Sequence, residues 1–473
     1  MAKREAIVRP GGLTRFWKGL MTRGHWAGPS IEDTWRPTPA AEQLLERSRA
    51  FFGSEQATAT HSLTARTSSD FRHFDLAGMQ RVVGILPYGK GGGLLLASYL
   101  DGHDDVISLP AYLSCASYQY FYRYRSFSLR EKLLCYPFLD EGHFNSFFHS
   151  AHSVKPADYL AAVNAACEVY GDRPAEFLEA RAVFFRLLFI VYCVALGRKP
   201  ATSRPLIVYE QHTRSEILAG YLREDFAEVR FIHTVRDPIT NCGRTFEYSF
   251  KDEGIRGSVY AVSSLIFGDE AHVGMRSHTL AVRFEDLHLH LKDTMRTVAD
   301  WLGLPFRPSL VESTFSGRPW TVTQGTATWT GARPTQAARN NRYSWFTDRY
   351  LFFATQYENF SEWNYPCPGI FRHAIVRILV GLPLLLIPMR IEVMTVRSVF
   401  SSPDVRVVGR GVVRLCIQRI QIMLLLALEL YRRLVHGVEL LPVRNAAGPV
   451  EPPAAHTRPE LSPEKNVPIS QRE

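Results

Sequence analysis

The sequence of 473 residues has little cysteine, seven in all, and no two of them are spaced as Cys-x-x-Cys. That sets aside a disulfide framework and a cysteine-based zinc site, and scattered single thiols fit a reducing compartment. The first twenty residues, MAKREAIVRPGGLTRFWKGL, lack the apolar core of a secretory signal, so the chain is expected in the cytoplasm. Long clean apolar runs are also missing. LLFIVYCVAL at 187–196 is ten residues long, against the roughly 20 that a membrane-crossing helix needs, and reads as a core helix. Net charge is scarce outside one segment. Of the total of +9, a net +7 falls between Cys367 and Asn445, where eleven arginines meet four acids. The remainder is nearly neutral, which argues against a general nucleic-acid binder. There is no internal repeat.

What is present is a globular composition, 46% hydrophobic and 21% charged. Residues 1–75 are rich in Pro, Gly, Ser, Thr and Trp with weak periodicity, and read as an irregular extension. From Arg81 short apolar runs without alternation follow one another: RVVGIL, VISLP (106–110), PLIVYE (205–210), VRFIHTV (229–235) and TLAVRF (279–284). Between them lie helical patterns at 155–171, 174–197, 214–226 and 288–303. Strands buried on both faces and separated by helices predict an α/β fold with a parallel sheet flanked by helices, of the kind found in P-loop NTPases, over residues 76–368.

Three places in this domain can carry chemistry. The first is GILPYGKGGGLL (84–95), a glycine loop between a strand and a helix start. Such a loop aims backbone N–H groups and the helix dipole at one spot, and Lys90 adds a mobile charge, which suits a phosphate or sulfate. The residue after Lys90 is Gly91, where a nucleotide hydrolase needs Ser or Thr for its magnesium. The second is the strand end Arg236-Asp237-Pro238. Arginine there lies where open parallel sheets bind ligands, and its fork suits a phosphate monoester, whereas Asp237 and Pro238 read as a helix cap and first turn. The third is a strand running into Phe284-Glu285-Asp286-Leu287 and a helix that ends at Gly303.

In this order and spacing the three resemble the PAPS-dependent sulfotransferases, over about residues 81–366. The resemblance implies PAPS (3′-phosphoadenosine-5′-phosphosulfate) as donor, no metal, and a hydroxyl acceptor, taken here as a carbohydrate or glycolipid. It implies donor contacts at Gly89, Lys90, Gly91, Gly92, Gly93 and Leu94 for the 5′-phosphosulfate, and at Arg236 for the 3′-phosphate. Where the family has hydroxyl side chains this loop has Gly91, Gly93 and Leu94, so main-chain donors replace them. The family's serine eight residues after Arg236 is Arg244, and either Arg244 or the neighbouring Thr245 takes its role. Arg339 and Arg342, in the basic loop GARPTQAARNNRYSW, are expected to close over the nucleotide. Lys90 is expected to neutralise the leaving bridge. The base is expected to be His212, just after the third strand, with Glu210 second. His233, inside a strand, reads as packed in the sheet.

The segment 117–150, crowded with Tyr, Phe and Arg, either covers an acceptor site or forms an aromatic core. Residues 369–440 are apolar but interrupted by Arg377, Arg390, Arg414 and Arg419. They predict a pair of amphipathic helices on the cytosolic face of a membrane with guanidinium groups at headgroup depth, or else a pair packed on the core or in a homodimer. Residues 441–473, with seven prolines, read as a disordered tail. Two other functions stand beside sulfuryl transfer: a P-loop kinase or NTPase, against which Gly91 counts, and a membrane-associated scaffold that binds a nucleotide without efficient turnover.

Overall fold

The computed structural model describes residues 40–55, 68–114, 116–171, 177–210, 216–253, 257–266, 278–324, 327–334, 345–401, 405–437 and 440. They divide into two compact units, one built from the chain up to Arg236 together with Tyr260–Ala332, the other from Asp237–Val259 and Arg333–Gly437.

The first unit is an α/β sheet domain. Its five strands are β1 (Arg81–Pro87), β2 (Val106–Ser108), β3 (Leu206–Glu210), β4 (Glu228–Val235) and β5 (Thr279–Arg283). They lie in the order β2-β3-β1-β4-β5, all parallel, with Ile85 opposite Glu210 on one side and Ile232 on the other. Successive side chains of a strand point to opposite faces. Accordingly Val82 and Leu86 join one core cluster, while Val83 and Ile85 join the other. With both faces covered there is no polar side to the sheet, which is why each strand reads as an uninterrupted apolar run. Helices at Gly93–Asp101, Pro156–Tyr170, Phe177–Ala195, Glu216–Asp225 and Leu291–Leu302 match the expected periodic segments to within a few residues.

The aromatic segment 117–150 is core. Tyr118, Tyr120, Phe121, Tyr136 and Phe147 are all buried in the same cluster as the Phe177–Ala195 helix. Its polar centre is Arg181. The guanidinium donates from Nε to both oxygens of Asp225 at 3.0 Å and from Nη2 to Glu224 at 2.9 Å, and lies 4.5 Å from the Tyr221 ring centre. Tyr118 donates to the same Asp225 at 3.0 Å.

The second unit is helical: Pro238–Glu253, Phe346–Thr355, Tyr357–Glu362, Ala374–Leu384, Arg390–Phe400 and Val405–His436. The expected C-terminal pair is thus three helices. Pro388 has no N–H to give and disfavours helix in the residue before it, and Met389 is extended with ψ 159°, so the chain starts a new helix at Arg390. Three of the four interrupting arginines are held by acids of the same unit. Arg377 and Arg419 are ion-paired with Glu358 and Glu392, and Arg390 with Glu247 at 3.3 Å; Arg414 is exposed.

Removing one partner of a buried pair strands the other charge, at about 3–5 kcal/mol. Arg181→Met is therefore expected to lower the unfolding free energy in urea by about that much. A loss below about 1 kcal/mol would show that Asp225 is not held by this pair.

Candidate anion site at the β1 and β4 strand ends

The chain leaves β1 toward β2 on one side of the sheet and leaves β4 toward β5 on the other. In open parallel sheets such a divergence opens a crevice at the C-terminal strand ends. The glycine loop lies there. Tyr88 N donates to Thr234 O at 2.8 Å, so the loop starts pinned to the end of β4. Gly89 and Gly92 have φ of 54° and 87°, the left-handed region that glycine enters without penalty. Gly92 is also the N-cap of the Gly93–Asp101 helix, whose first turn receives no side-chain cap.

The missing side chains at 91 and 92 have a packing cause. A Cβ on Gly91 would overlap the Thr234 carbonyl oxygen and come within 2.9 Å of Tyr88 O. One on Gly92 would run into the Phe284 ring. At Gly93 the nearest atoms, on Ile85 and Pro87, would lie 3.2 Å and 3.3 Å away. Leu94 is half-buried in the first helical turn. Lys90 is half-buried at the loop's tip.

Arg236 follows β4 directly and is buried. Its Nη1 donates to Lys90 O at 3.3 Å, and its guanidinium carbon lies 4.2 Å from the centre of the Phe284 ring. The Lys90 loop and Arg236 are therefore in contact. Phe284 extends the β5 edge by donating its N–H to Val235 O at 2.7 Å. Its ring meets the His288 ring edge-on at 4.4 Å. Burial, reinforced by the Arg236 charge, pushes the His288 pKa down to about 4, so this imidazole is neutral at pH 7. Beneath them Arg283 grips Asp286 with two bonds of 2.8 Å, fixing the turn out of β5. The Thr234 hydroxyl is buried, with no hydrogen-bond partner among the described residues.

The remaining candidates are distributed as follows. Glu210 is buried at the end of β3, and its carbonyl accepts from Ser114 Oγ at 3.1 Å. His212, Arg339 and Arg342 lie outside the described residues. Arg244 and Thr245 belong to the helical unit. Arg244 is ion-paired with Glu247 at 3.5 Å, and Thr245 Oγ1 donates to Asn241 Oδ1 at 3.4 Å. Asp237 caps the Pro238 helix by accepting from Thr240 N at 2.7 Å, and His233 is packed in the sheet against Leu86 O at 2.9 Å. Phe284 and His288 were not singled out as site residues by the sequence. The strand running into Glu285-Asp286 was the available signal, but the meeting of Phe284 with Gly92 joins segments nearly two hundred residues apart.

No family model matches the chain, and no curated protein matches it. Solved structures similar to it include the sulfotransferase domain of the Synechococcus PCC 7002 olefin synthase, at 14% identity and a TM-score of 0.31, covering 49% of this chain and 76% of that one. The sulfotransferase domain from the curacin biosynthetic pathway gives 15% and 0.30, covering 49% and 77%. The sulfotransferase STF9 from Mycobacterium avium gives 10% and 0.30, covering 59% and 77%. Values this low assign no chemistry to the chain.

Gly92→Ala is expected to cost at least about 1 kcal/mol, because it meets both a left-handed backbone and the Phe284 ring; a neutral result in thermal unfolding would mean that the loop rests differently. His288 makes a pH prediction. Its folded pKa of about 4 lies below the ordinary 6.5, so the unfolded chain takes up the proton first as the pH falls. Its contribution to stability is full above about 6.5 and is lost toward about 4. Melting temperatures across that window should fall more steeply for the native chain than for His288→Asn, and parallel curves would refute the assignment.

Proposed function

We propose that the chain is a sulfotransferase that moves a sulfuryl group from PAPS to a hydroxyl of a carbohydrate or glycolipid. The observation that supports this most is the contact of Arg236 with the Lys90 carbonyl, which puts two cationic residues, a side-chain-free loop and an uncapped helix start at one crevice. Such a site suits a donor with two separated anionic groups. The glycine geometry disfavours the kinase or NTPase alternative, since a Ser or Thr at position 91 would drive its Cβ into Thr234 O.

The residues fit PAPS as follows. The first helical turn and the loop amides of Gly89–Gly93 would hold the phosphosulfate end, and Arg236 the 3′-phosphate. In sulfuryl transfer the acceptor oxygen forms a bond to sulfur as the bond from sulfur to the phosphate oxygen breaks, and the hydroxyl proton goes to a base. Lys90 would offset the charge that grows on the departing phosphate oxygen. His212 is the proposed base, and Glu210, at the end of the strand beside β1, is the second choice.

Adenosine 3′,5′-bisphosphate is expected to raise the melting temperature, with a stabilisation of about 2.7 kcal/mol at a hundred times its dissociation constant. ATP with magnesium should do far less. The reverse ranking would end the sulfotransferase reading. With labelled donor and glycan or glycolipid fractions, Lys90→Ala should depress kcat by roughly a hundredfold or more while leaving bisphosphate binding within about tenfold. Undiminished turnover in that variant would take Lys90 out of the mechanism.

A further inference from the structure

We infer that the helices of residues 370–436 dock flat on a lipid bilayer bearing anionic headgroups, independently of the chemistry proposed above. The first observation is an apolar face that nothing within the described residues covers. On the Ala374–Leu384 helix and the turn after it, Ile375, Leu379, Leu382 and Leu386 recur at intervals of four, three and four residues, and Leu379 and Leu386 are 68% and 73% exposed. On the Val405–His436 helix Val413, Ile417, Ile420 and Leu424 repeat that spacing, with Val413 and Ile417 at 61% and 53%. Exposed leucine and isoleucine in stripes on two helices of one unit differ from the scattered apolar residues of an ordinary surface.

The second observation is charge. Both acids among the described residues of this segment face inward: Glu392 is paired with Arg419, and Glu429 with Arg432 and Arg433. The exposed charged groups of the segment are arginines, Arg372, Arg397, Arg410 and Arg414. Apolar stripes accompanied by exposed guanidinium groups are the surface that an anionic lipid layer complements, the apolar side chains entering at the acyl boundary and the arginines at headgroup level.

The third observation sets the orientation. Val408–His436 is long and apolar enough to cross a membrane by length and composition. Its other face, however, buries Ile422, Leu426 and Leu430 in the unit. Its inward-facing arginines are tied down as well. Arg419 donates to Glu392 and to the carbonyl oxygens of Leu385 and Ile387, and Arg433 donates to Glu358 at 3.2 Å and Asn359 at 2.7 Å. Crossing would strip all of these contacts and place the charges in hydrocarbon, so the helix lies in the interface with one face on the unit and the other in lipid.

Flotation of the full chain with vesicles tests this, using phosphatidylcholine alone and phosphatidylcholine with roughly 30% phosphatidylglycerol. The native chain should float with the anionic vesicles. The exposed-face variant Leu379→Ser/Leu386→Ser/Ile417→Ser should lose at least about tenfold in partitioning with an unchanged melting temperature. Arg410→Gln/Arg414→Gln should weaken binding to the anionic vesicles by roughly fivefold per arginine and leave binding to neutral vesicles unaltered. The inference is overturned if the native chain stays at the bottom with both vesicles, or if the triple serine variant floats as well as the native chain. It is overturned in favour of a second copy of the chain if light scattering without lipid gives a dimer that the serine variant dissociates. Resistance of the bound chain to alkaline carbonate would overturn the flat orientation in favour of a crossing helix.

Discussion

The guanidinium of Arg236 joins the ends of three strands. It belongs to the end of β4, donates to the carbonyl of Lys90 beyond β1, and lies on the ring of Phe284 beyond β5. A buried cation is tolerated only where dipoles, π density or anions share its charge, and here the loop carbonyl and the aromatic face do so. After burial, the same charge also helps to keep the His288 imidazole neutral. Among the described residues the crevice therefore draws its positive charge from Arg236 and Lys90, and His288 adds none at neutral pH.

The glycine run has two independent causes, and they should be kept apart. Left-handed backbone at Gly89 and Gly92, and the overlap of any Cβ at Gly91 and Gly92 with Thr234 and Phe284, would require glycine even if nothing were bound there. What the glycines produce is a loop whose main-chain N–H groups have no side chain to shield them, at the start of a helix with no side-chain cap. Packing creates the bare surface, and the adjoining cations give it a sign.

The sheet was legible in the sequence because burial on both faces erases alternation, leaving apolar runs such as VRFIHTV that few other environments produce. The helices between them showed through their spacing. The inward arginines were not legible. Arg377 and Arg419 look like interruptions of apolar helices because their partners Glu358 and Glu392 lie 19 and 27 residues away along the chain. Local pattern carries no information about such pairing. Pro388 breaks the apolar segment at one residue, while helical periodicity continues on both sides of it. At the site, the Lys90 loop and Arg236 were visible as motifs, whereas Phe284 becomes a site residue only once β5 is placed beside β4.

Charge counting alone also misjudges the C-terminal segment. Its net +7 suggests a uniformly basic surface, yet five of its arginines form ion pairs with carboxylates of the helical unit. Those pairs satisfy groups that would otherwise be costly to bury, and they fix the helices to one another. The arginines left outside are fewer, but Glu392 and Glu429, the acids of the segment among the described residues, face inward. A surface can thus be selectively cationic through the placement of its carboxylates as much as through the number of its bases. Because the apolar stripes and the exposed arginines belong to one helical segment, hydrophobic and electrostatic attraction can act on one partner together, and neither has to be strong alone.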